Sequence, residues 1–252
     1  MDSINFNRRF GGVERVYGEK DLHAFQKAHV CVIGIGGVGS WAAEGLARNA
    51  IGKITLIDLD HIAESNINRQ IHALDTTLGK SKVIAMKERI FDINPFCEVT
   101  ILDDFITQDN LEDFLQSHFD VVIDAIDQAS IKTSLALHAL THQIPLVMTG
   151  GAGGRIDPSH IKIADLNLTH GDRLTARIRH DVKKALNLKA SQKVGIDVVF
   201  TDEVMVKPTD ACESDDTLTG LYCGGYGSSV MVTASFGFMA ASLALKKISE
   251  KK

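Results

Sequence analysis

Short apolar runs alternate with helical patterns along the first 150 residues. Each run is rich in Val, Ile and Leu, which is typical of strands buried on both faces of a sheet. Between the runs, apolar residues recur at helical spacing, as in the stretch that ends at Asn94 and Pro95. This alternation predicts an α/β fold with a doubly wound, mostly parallel, Rossmann-like sheet. The predicted strands are 30–33, 53–58, 98–102, 120–127 and 145–149.

The pattern changes after the glycine-rich residues 150–154, which predicts an elaborated C-terminal half. Residues 161–164 alternate like a strand with one exposed face, and 198–200 with 204–206 are predicted to form a hairpin. Residues 228–245 are apolar but carry several Ser and Thr, and are slightly shorter than the roughly 20 residues of a membrane span. They predict a core helix, with peripheral membrane association as the alternative. We divide the chain into an N-terminal arm (1–29), which we expect to be solvated, a core (30–155) and a C-terminal part of the same domain (156–252).

Composition and charge exclude several classes of protein. The 252 residues carry a formal net charge of −5, so a nucleic-acid partner would have to bind a local basic surface. The four cysteines form no Cys-x-x-Cys pair, which argues against a structural zinc site and a disulfide framework. The N-terminus lacks the basic start and the apolar run of a signal peptide, and we expect a cytoplasmic protein.

A glycine-rich turn directly follows the first predicted strand. Gly34, Gly36, Gly37 and Gly39 separate that strand from a helical pattern, as a phosphate-binding turn requires. Asp58 ends the second strand about 20 residues further on, where a carboxylate reaches the ribose hydroxyls of a nucleotide. Asp60 is the rival residue for that role, and a simple turn former is the alternative interpretation.

Further polar residues exceed what a nicotinamide cofactor needs. Asn66 and Arg69 lie in a dense polar stretch, and Lys82 is in the first turn of a helix, where the dipole disfavours a cation. Asp127 lies at the carboxyl end of the fourth strand, where open parallel sheets bind ligands. Hydride transfer needs neither a metal nor a charge clamp, whereas attack on the α-phosphate of ATP needs both. These residues therefore favour ATP and Mg²⁺ as ligands.

Two segments of the C-terminal half leave alternatives open. Residues 172–193 are basic and helical, and read either as a solvated face or as a surface that binds a polyanion. The basic residues proposed for that surface are Arg173, Arg177, Lys183 and Lys184. Residues 207–227 form a loop long enough for a lid. Cys223 within it is a candidate thiol nucleophile, and a buried or incidental cysteine is the alternative.

Five motifs resemble those of the ubiquitin-activating-type adenylating enzymes. They are Ile-Gly-Ile-Gly-Gly-Val-Gly at 33–39, Asp-Leu-Asp at 58–60, Ser-Asn-Ile-Asn-Arg-Gln at 65–70, Gly-Lys-Ser-Lys at 79–82 and Asp-Ala-Ile-Asp at 124–127. The resemblance implies that residues 30–155 are an ATP-binding adenylation core, in which Arg69 and Lys82 clamp the phosphates and Asp127 binds Mg²⁺. It also implies a homodimer, in which Arg9, or alternatively Arg8, reaches the ATP of the neighbouring subunit.

Motifs at 9–12, 68–74, 149–154 and 232–238 extend the likeness over nearly the whole chain. They are similar to the bacterial family that dehydrates threonylcarbamoyladenosine in tRNA, which implies ATP-dependent ring closure beside the anticodon. A cysteine desulfurase or its sulfur acceptor is a further candidate partner.

The first alternative to this function is an adenylyltransferase that activates the C-terminus of a ubiquitin-like sulfur carrier. That branch carries Cys-x-x-Cys zinc motifs, which this chain lacks, and commonly an Asn where this chain has Gln128. The second alternative is a nucleotide-sensing module or an NAD-dependent enzyme.

Overall fold

The computed structural model describes residues 4–115, 119–189, 191–206 and 226–251. The strands are β1 His29–Ile33, β2 Lys53–Ile57, β3 Glu98–Leu102, β4 Val121–Asp124, β5 Leu146–Thr149, β6 Ile161–Asp165 and β7 Asp197–Thr201. They form one sheet in the order β3-β2-β1-β4-β5-β7-β6. Every neighbouring pair is parallel except β6 and β7, which are antiparallel.

The helices are α1 Phe6–Tyr17, α2 Glu19–Lys27, α3 Gly39–Arg48, α4 Lys82–Ile93, α5 Leu111–Phe114, α6 Ala129–Thr141, α7 Arg173–Leu186 and α8 Val230–Glu250. They cover both faces of the sheet, and each face has its own apolar core. One core is built with α3, α4 and α8, and the other with α5, α6 and α7. The predicted doubly wound, mostly parallel α/β fold is therefore confirmed.

The N-terminal residues pack as helices instead of forming a solvated arm. Phe10 of α1 and both Leu22 and Phe25 of α2 are buried. Phe10 and Leu22 share a small apolar cluster with Ala50, which follows the C-cap of α3. The sequence expectation of a solvated arm is wrong because these apolar side chains recur on one face of two short helices.

The predicted hairpin of 198–200 with 204–206 is also wrong. β7 instead pairs with β5 on one side and with β6 on the other. Residues 204–206 leave the sheet, and the N–H of Val206 donates to the carbonyl of Gly154 at 2.8 Å. An apolar run that is buried on both faces does not reveal its partner strands, because those partners are distant in the sequence.

The long apolar helix α8 packs closely on α3. A Cβ at Gly237 would lie 2.5 Å from the carbonyl oxygen of Val38 and 2.7 Å from Cβ of Trp41, so only glycine allows this approach. Phe236, Ala240 and Ala244 of α8 are fully buried. By length and composition α8 could cross a membrane, yet 56% of its apolar window is buried in the protein. Its burial agrees with the predicted core helix.

Candidate active site

A cavity of about 1070 Å³ opens at the carboxyl ends of the central strands. Its wall contains the turns that follow β1, β2, β4 and β5. β1 lies between β2 and β4, and the crossovers run outwards from β1 to β2 and β3 on one side and to β4 and β5 on the other. Open α/β sheets bind ligands at such switch points. The predicted site residues that line the cavity are Gly34, Gly36, Gly37, Asp58, Asp60, Arg69, Lys82 and Asp127.

The glycine turn joins β1 to α3 in a very small space. A Cβ at Gly39 would lie 1.8 Å from the carbonyl oxygen of Gly34, so this position requires glycine. Gly34 has a φ angle of +84°, a backbone conformation that residues with a side chain rarely adopt. Gly39 closes the turn from behind, whereas Gly34, Gly36 and Gly37 face the cavity. The turn thus presents backbone and the N-terminus of α3 to a ligand, as an anion site requires.

Asp58, Asp60 and Lys82 form a charged group beside the glycine turn. The Asp58 carboxylate accepts hydrogen bonds from the N–H groups of Ile35 at 2.6 Å and Asp60 at 2.8 Å. Burial raises the pKa of Asp58, although the Lys82 charge opposes that rise. Lys82 is itself 2% exposed, and its ammonium lies 2.6 Å from Asp60 Oδ2 and 3.9 Å from Asp58 Oδ1. The negative charges of these two carboxylates offset the helix dipole, which explains why a cation is found in the first turn of α4.

The polar stretch after β2 divides its side chains between the cavity and the protein interior. Asn66 is buried, and its Oδ1 accepts from the N–H of Ala63 at 3.0 Å, so it shapes the turn from inside. Ser65, Asn68 and Arg69 line the cavity instead, because residues three and four apart share one side of a helical turn. The structure therefore does not place Asn66 with the predicted ligand-binding residues, and it adds Asn68.

Arg69 is held in place by this same stretch. Its Nη1 donates to the carbonyl of Ser65 at 2.7 Å and to Oδ1 of Asn68 at 2.9 Å. The indole of Trp41 in α3 donates to the Arg69 carbonyl at 2.9 Å, which ties the stretch to the glycine turn. The guanidinium is thus oriented beside the cavity before any ligand binds.

Asp127 lies in the loop that follows β4. The predicted strand 120–127 ends at Asp124, and residues beyond it turn into the cavity wall. Within the described residues, the Asp127 carboxylate has no hydrogen bond or ion pair, so its oxygens are free to bind a ligand. No group of three His, Cys, Asp or Glu side chains in the described ranges could hold a metal alone. A single carboxylate suits Mg²⁺, which is commonly bound through one or two carboxylates together with substrate phosphates.

Behind Asp127 lies a buried ion pair that the sequence did not reveal. Asp124 and Lys132 of α6 are both fully buried, with Nζ 2.9 Å from Oδ1. Lys132 Nζ and the hydroxyl of Thr149 also donate to the Asp124 carbonyl, each at 3.2 Å. Asp124 Oδ1 in turn accepts from the N–H of Ile126 at 3.1 Å. Burial raises the pKa of Asp124 against the pull of Lys132.

Arg9 lies outside the cavity of its own chain. Its Nη1 donates to the carbonyls of Asp92 at 2.9 Å and Ile93 at 2.7 Å, at the C-terminal end of α4. A cation at this position is favoured by the helix dipole. The function predicted for Arg9 in a neighbouring subunit therefore stays a prediction.

The predicted basic stretch forms α7, which begins at the rim of the cavity. Its N-cap Asp172 accepts from the N–H groups of Leu174 and Thr175, and also from that of Gly151 in the cavity wall at 2.8 Å. A Cβ at Gly150 would lie 2.1 Å from the same carboxylate, so helix and wall are in direct contact. The predicted basic residues are exposed at Arg173, Arg177 and Lys184 and half-buried at Lys183.

The described cysteines do not resemble nucleophiles. Burial raises the pKa of Cys97 to about 12 and that of the fully buried Cys31 still further. Both thiols therefore stay protonated at neutral pH. Cys223 and most of the predicted lid lie outside the described residues.

Comparison with known proteins places these features in a family. Residues 7–252 match the ThiF family. The tRNA threonylcarbamoyladenosine dehydratase of Escherichia coli is 48% identical, over 98% of this chain and 95% of its own length. A crystal structure of the E. coli tRNA N6-threonylcarbamoyladenosine dehydratase in complex with ATP has a TM-score of 0.88 at 47% identity, covering 98% of this chain and 96% of that one.

A more distant relative is similar to a smaller share of this chain. The molybdopterin-synthase adenylyltransferase of Salmonella typhimurium is 29% identical, over 62% of this chain and 61% of its own length. Similarity to the dehydratase thus includes the C-terminal part with α7 and α8, whereas similarity to the adenylyltransferase spans a smaller share of the chain.

Proposed function

This chain belongs to the ThiF family, and we propose that it is an ATP-dependent tRNA threonylcarbamoyladenosine dehydratase. The observation that carries the proposal is the 48% identity to such an enzyme over almost the full length of both chains. A cavity of about 1070 Å³ supports it, because sites for one small ligand commonly measure roughly 300–1,000 Å³ and this reaction needs space for two substrates.

The reaction closes a ring within a modified nucleoside. The threonyl carboxylate of the threonylcarbamoyl group attacks the α-phosphate of ATP, which releases pyrophosphate and leaves a mixed anhydride with AMP. An atom of the neighbouring carbamoyl group then attacks the activated carbonyl and expels AMP, with net loss of one water. The nucleophile is already attached to the substrate, so the effective molarity of this second step is high. The scheme requires no catalytic cysteine.

The residues of the cavity divide into two roles in this proposal. The glycine turn and Asp58 hold ATP, the turn through backbone N–H groups that face a phosphate and Asp58 through the ribose hydroxyls, and Arg69 and Lys82 spread the charge of the phosphates. Asp127 would hold Mg²⁺, which neutralises charge on the phosphates when bound. In this division residues 30–155 are the adenylation core, and 156–252 recognise the substrate and form part of a dimer interface.

Because tRNA is the substrate, we place the enzyme in the cytoplasm. The sulfur-transfer partner stays a prediction.

A direct test is mass spectrometry of nucleosides from tRNA that carries threonylcarbamoyladenosine. After incubation with the protein, ATP and Mg²⁺, we expect the modified adenosine to lose the mass of one water, and we expect no change when ATP is omitted. An unchanged nucleoside, from protein that is folded and binds ATP, would contradict the proposal. ATP–pyrophosphate exchange that depends on a ubiquitin-like protein instead of tRNA would favour the sulfur-carrier alternative.

The exposed face of α7 is the proposed tRNA surface. Its cations begin where Asp172 joins the helix to the cavity wall, so bound tRNA phosphates would lie next to the site of chemistry. We expect the triple variant Arg173→Gln, Arg177→Gln, Lys184→Gln to weaken tRNA binding at least tenfold and to lower the slope of log K against log salt by about 2–3.

The control for this variant removes three exposed lysines elsewhere, Lys27, Lys87 and Lys246. Both triple variants should bind ATP like the wild type. Equal tRNA affinities for the two triple variants would show that α7 is only a solvated face.

We also propose a homodimer in which Arg9 acts on the ATP of the partner subunit. Arg9 donates to the carbonyls of Asp92 and Ile93 at the end of α4. Phe91 and Phe96, close to these carbonyls in the sequence, are 61% and 51% exposed. Exposed aromatic side chains close to a cation suit a subunit interface, in which the charge is buried against a phosphate.

Mixed dimers test this arrangement. The variants Arg9→Ala and Asp127→Asn should each lose most of the cyclisation activity when tested alone. Once their subunits are exchanged, one site in each heterodimer combines an intact Asp127 with an intact Arg9 from the partner, and cyclisation should return. If activity does not return although the subunits have exchanged, Arg9 does not act across the interface. The same experiment with Arg8→Ala tests the alternative arginine.

A further inference from the structure

Two helices direct their N-termini at the same part of the cavity. Gly45 of α3 lies against Ala241 and Phe238 of α8, and Gly237 lies against Trp41. Residues later in α3 thus meet residues later in α8, so the two helices run parallel. The turn before α3 and residues 227–228 before α8 both line the cavity. Two parallel helix dipoles therefore contribute positive potential at one place.

Thr233, in the first turns of α8, has a buried hydroxyl without a partner. The residue is 3% exposed and lines the cavity, and its Oγ1 makes no hydrogen bond within the described part of the chain. Helical hydroxyls commonly donate to the carbonyl four residues earlier. Thr133 and Ser235 do so, at 2.8 Å and 2.6 Å. An unpaired buried hydroxyl costs stability, which a ligand in the cavity would offset.

The surroundings of Thr233 indicate what that ligand is. A Cβ placed on Gly37 would lie 3.4 Å from Cγ and Cδ of Arg69 and 3.5 Å from Cγ2 of Thr233. Thr233 and the arginine that clamps phosphates therefore flank the same glycine. Asn68 Nδ2 also donates to the Ser228 carbonyl at 2.9 Å, which joins the Arg69 stretch to the start of α8. A cation, a free hydroxyl and a helix N-terminus together suit a phosphate group.

We propose that Thr233 and the N-terminus of α8 bind the β- and γ-phosphates of ATP, and hold the pyrophosphate as it leaves. This inference rests on the proposed use of ATP. Asp58, which binds the ribose, contacts the N–H of Ile35, and the turn runs from there towards Gly37 and α8. The phosphates furthest from the ribose therefore reach Thr233. The Val230 N–H, which makes no hydrogen bond in the described ranges, is a second donor at this helix start.

The test compares ATP with AMP as ligands of three proteins in calorimetric titrations without tRNA. Thr233→Val replaces the hydroxyl with a methyl group of similar shape, and we expect it to bind ATP about tenfold more weakly than the wild type. Its affinity for AMP should be unchanged, because AMP lacks both distal phosphates. Thr233→Ser keeps the hydroxyl and should bind ATP like the wild type. The control Thr133→Val removes a hydroxyl that is already paired, outside the cavity, and should leave both affinities unchanged.

Thermal unfolding separates this function from a structural one. Since the hydroxyl has no partner in the protein, Thr233→Val should melt at the same temperature as the wild type or higher. A lower melting temperature, an unchanged ATP affinity, or an equal loss of ATP and AMP affinity would each overturn the proposal. Because tRNA is absent, these outcomes do not depend on dehydratase activity. Wild-type protein that binds neither nucleotide would instead reject the ATP-dependent function itself, and this inference with it.

Discussion

Replacing Asp127 with asparagine is expected to reduce tRNA cyclisation roughly 10²–10³-fold, in the range found when one electrostatic partner of a transition state is removed. The Asp127 carboxylate lines the cavity without a hydrogen bond or ion pair among the described residues. Its loss therefore breaks no contact that stabilises the fold, and the variant should unfold like the wild type. Metal-free ATP binding should also persist, because the glycine turn, Arg69 and Lys82 remain.

The measurement is the rate of water loss from the modified nucleoside at increasing Mg²⁺ concentration. A matched control is Asp109→Asn, which removes an exposed carboxylate outside the cavity wall and should behave like the wild type. If Asp127→Asn keeps more than a tenth of the wild-type rate at every Mg²⁺ concentration, another residue binds the metal.

Replacing Lys132 with methionine should lower the free energy of unfolding by about 3–5 kcal/mol, the cost of leaving a buried charge without its partner. Asp124 would remain at 0% exposure with no cation beside it. The loop that carries Asp127 begins after Asp124, and the Asp124 carboxylate holds this loop by accepting from the N–H of Ile126. Catalysis should therefore decline as well. Urea unfolding at neutral pH measures the stability change.

Measuring stability at lower pH tests whether the unpaired charge of Asp124 causes the lower stability of Lys132→Met. The pKa of Asp124 is already raised in the folded state by burial. A carboxyl with a raised pKa in the folded state stabilises the protein below its ordinary pKa and loses that contribution as the pH rises through the folded value. In Lys132→Met the penalty should therefore be largest at neutral pH and shrink as the pH falls and Asp124 takes up a proton.

Two further variants define the control for the ion pair. Lys53→Met removes an exposed cation that pairs with Glu98 across β2 and β3, and should cost less than about 1 kcal/mol. The double variant Lys132→Met, Asp124→Asn removes both buried charges and should be more stable than Lys132→Met alone. If the double variant is less stable, packing of the lysine chain, and not its charge, explains the effect.

The linear sequence revealed those features that depend on residues close together in the chain. The glycine turn is a local property, because Gly39 and Gly34 must fit within one tight connection between a strand and a helix. The alternation of buried strands with helices follows from the periodicity of apolar residues, and it correctly predicted the doubly wound sheet. Asp58, Lys82 and Asp127 could be selected because each follows a strand or begins a helix at a recognisable position.

Tertiary structure decided which of these residues meet and which distant residues join them. Asn66 turns inwards although it lies in the predicted motif, because a single helical turn directs Ser65, Asn68 and Arg69 to the other side. β7 takes β6 and β5 as neighbours, and no local pattern encodes pairings between distant strands.

The Asp124–Lys132 pair and the place of Thr233 beside Gly37 depend on packing between elements that are far apart in sequence. By itself, the sequence determined the fold class, the glycine turn and most of the charged residues that line the cavity, because these follow from local spacing and periodicity. Only the folded chain decided the buried ion pair, the parallel docking of α3 and α8 and the unpaired hydroxyl, because burial and hydrogen-bond partners exist only once distant segments pack together.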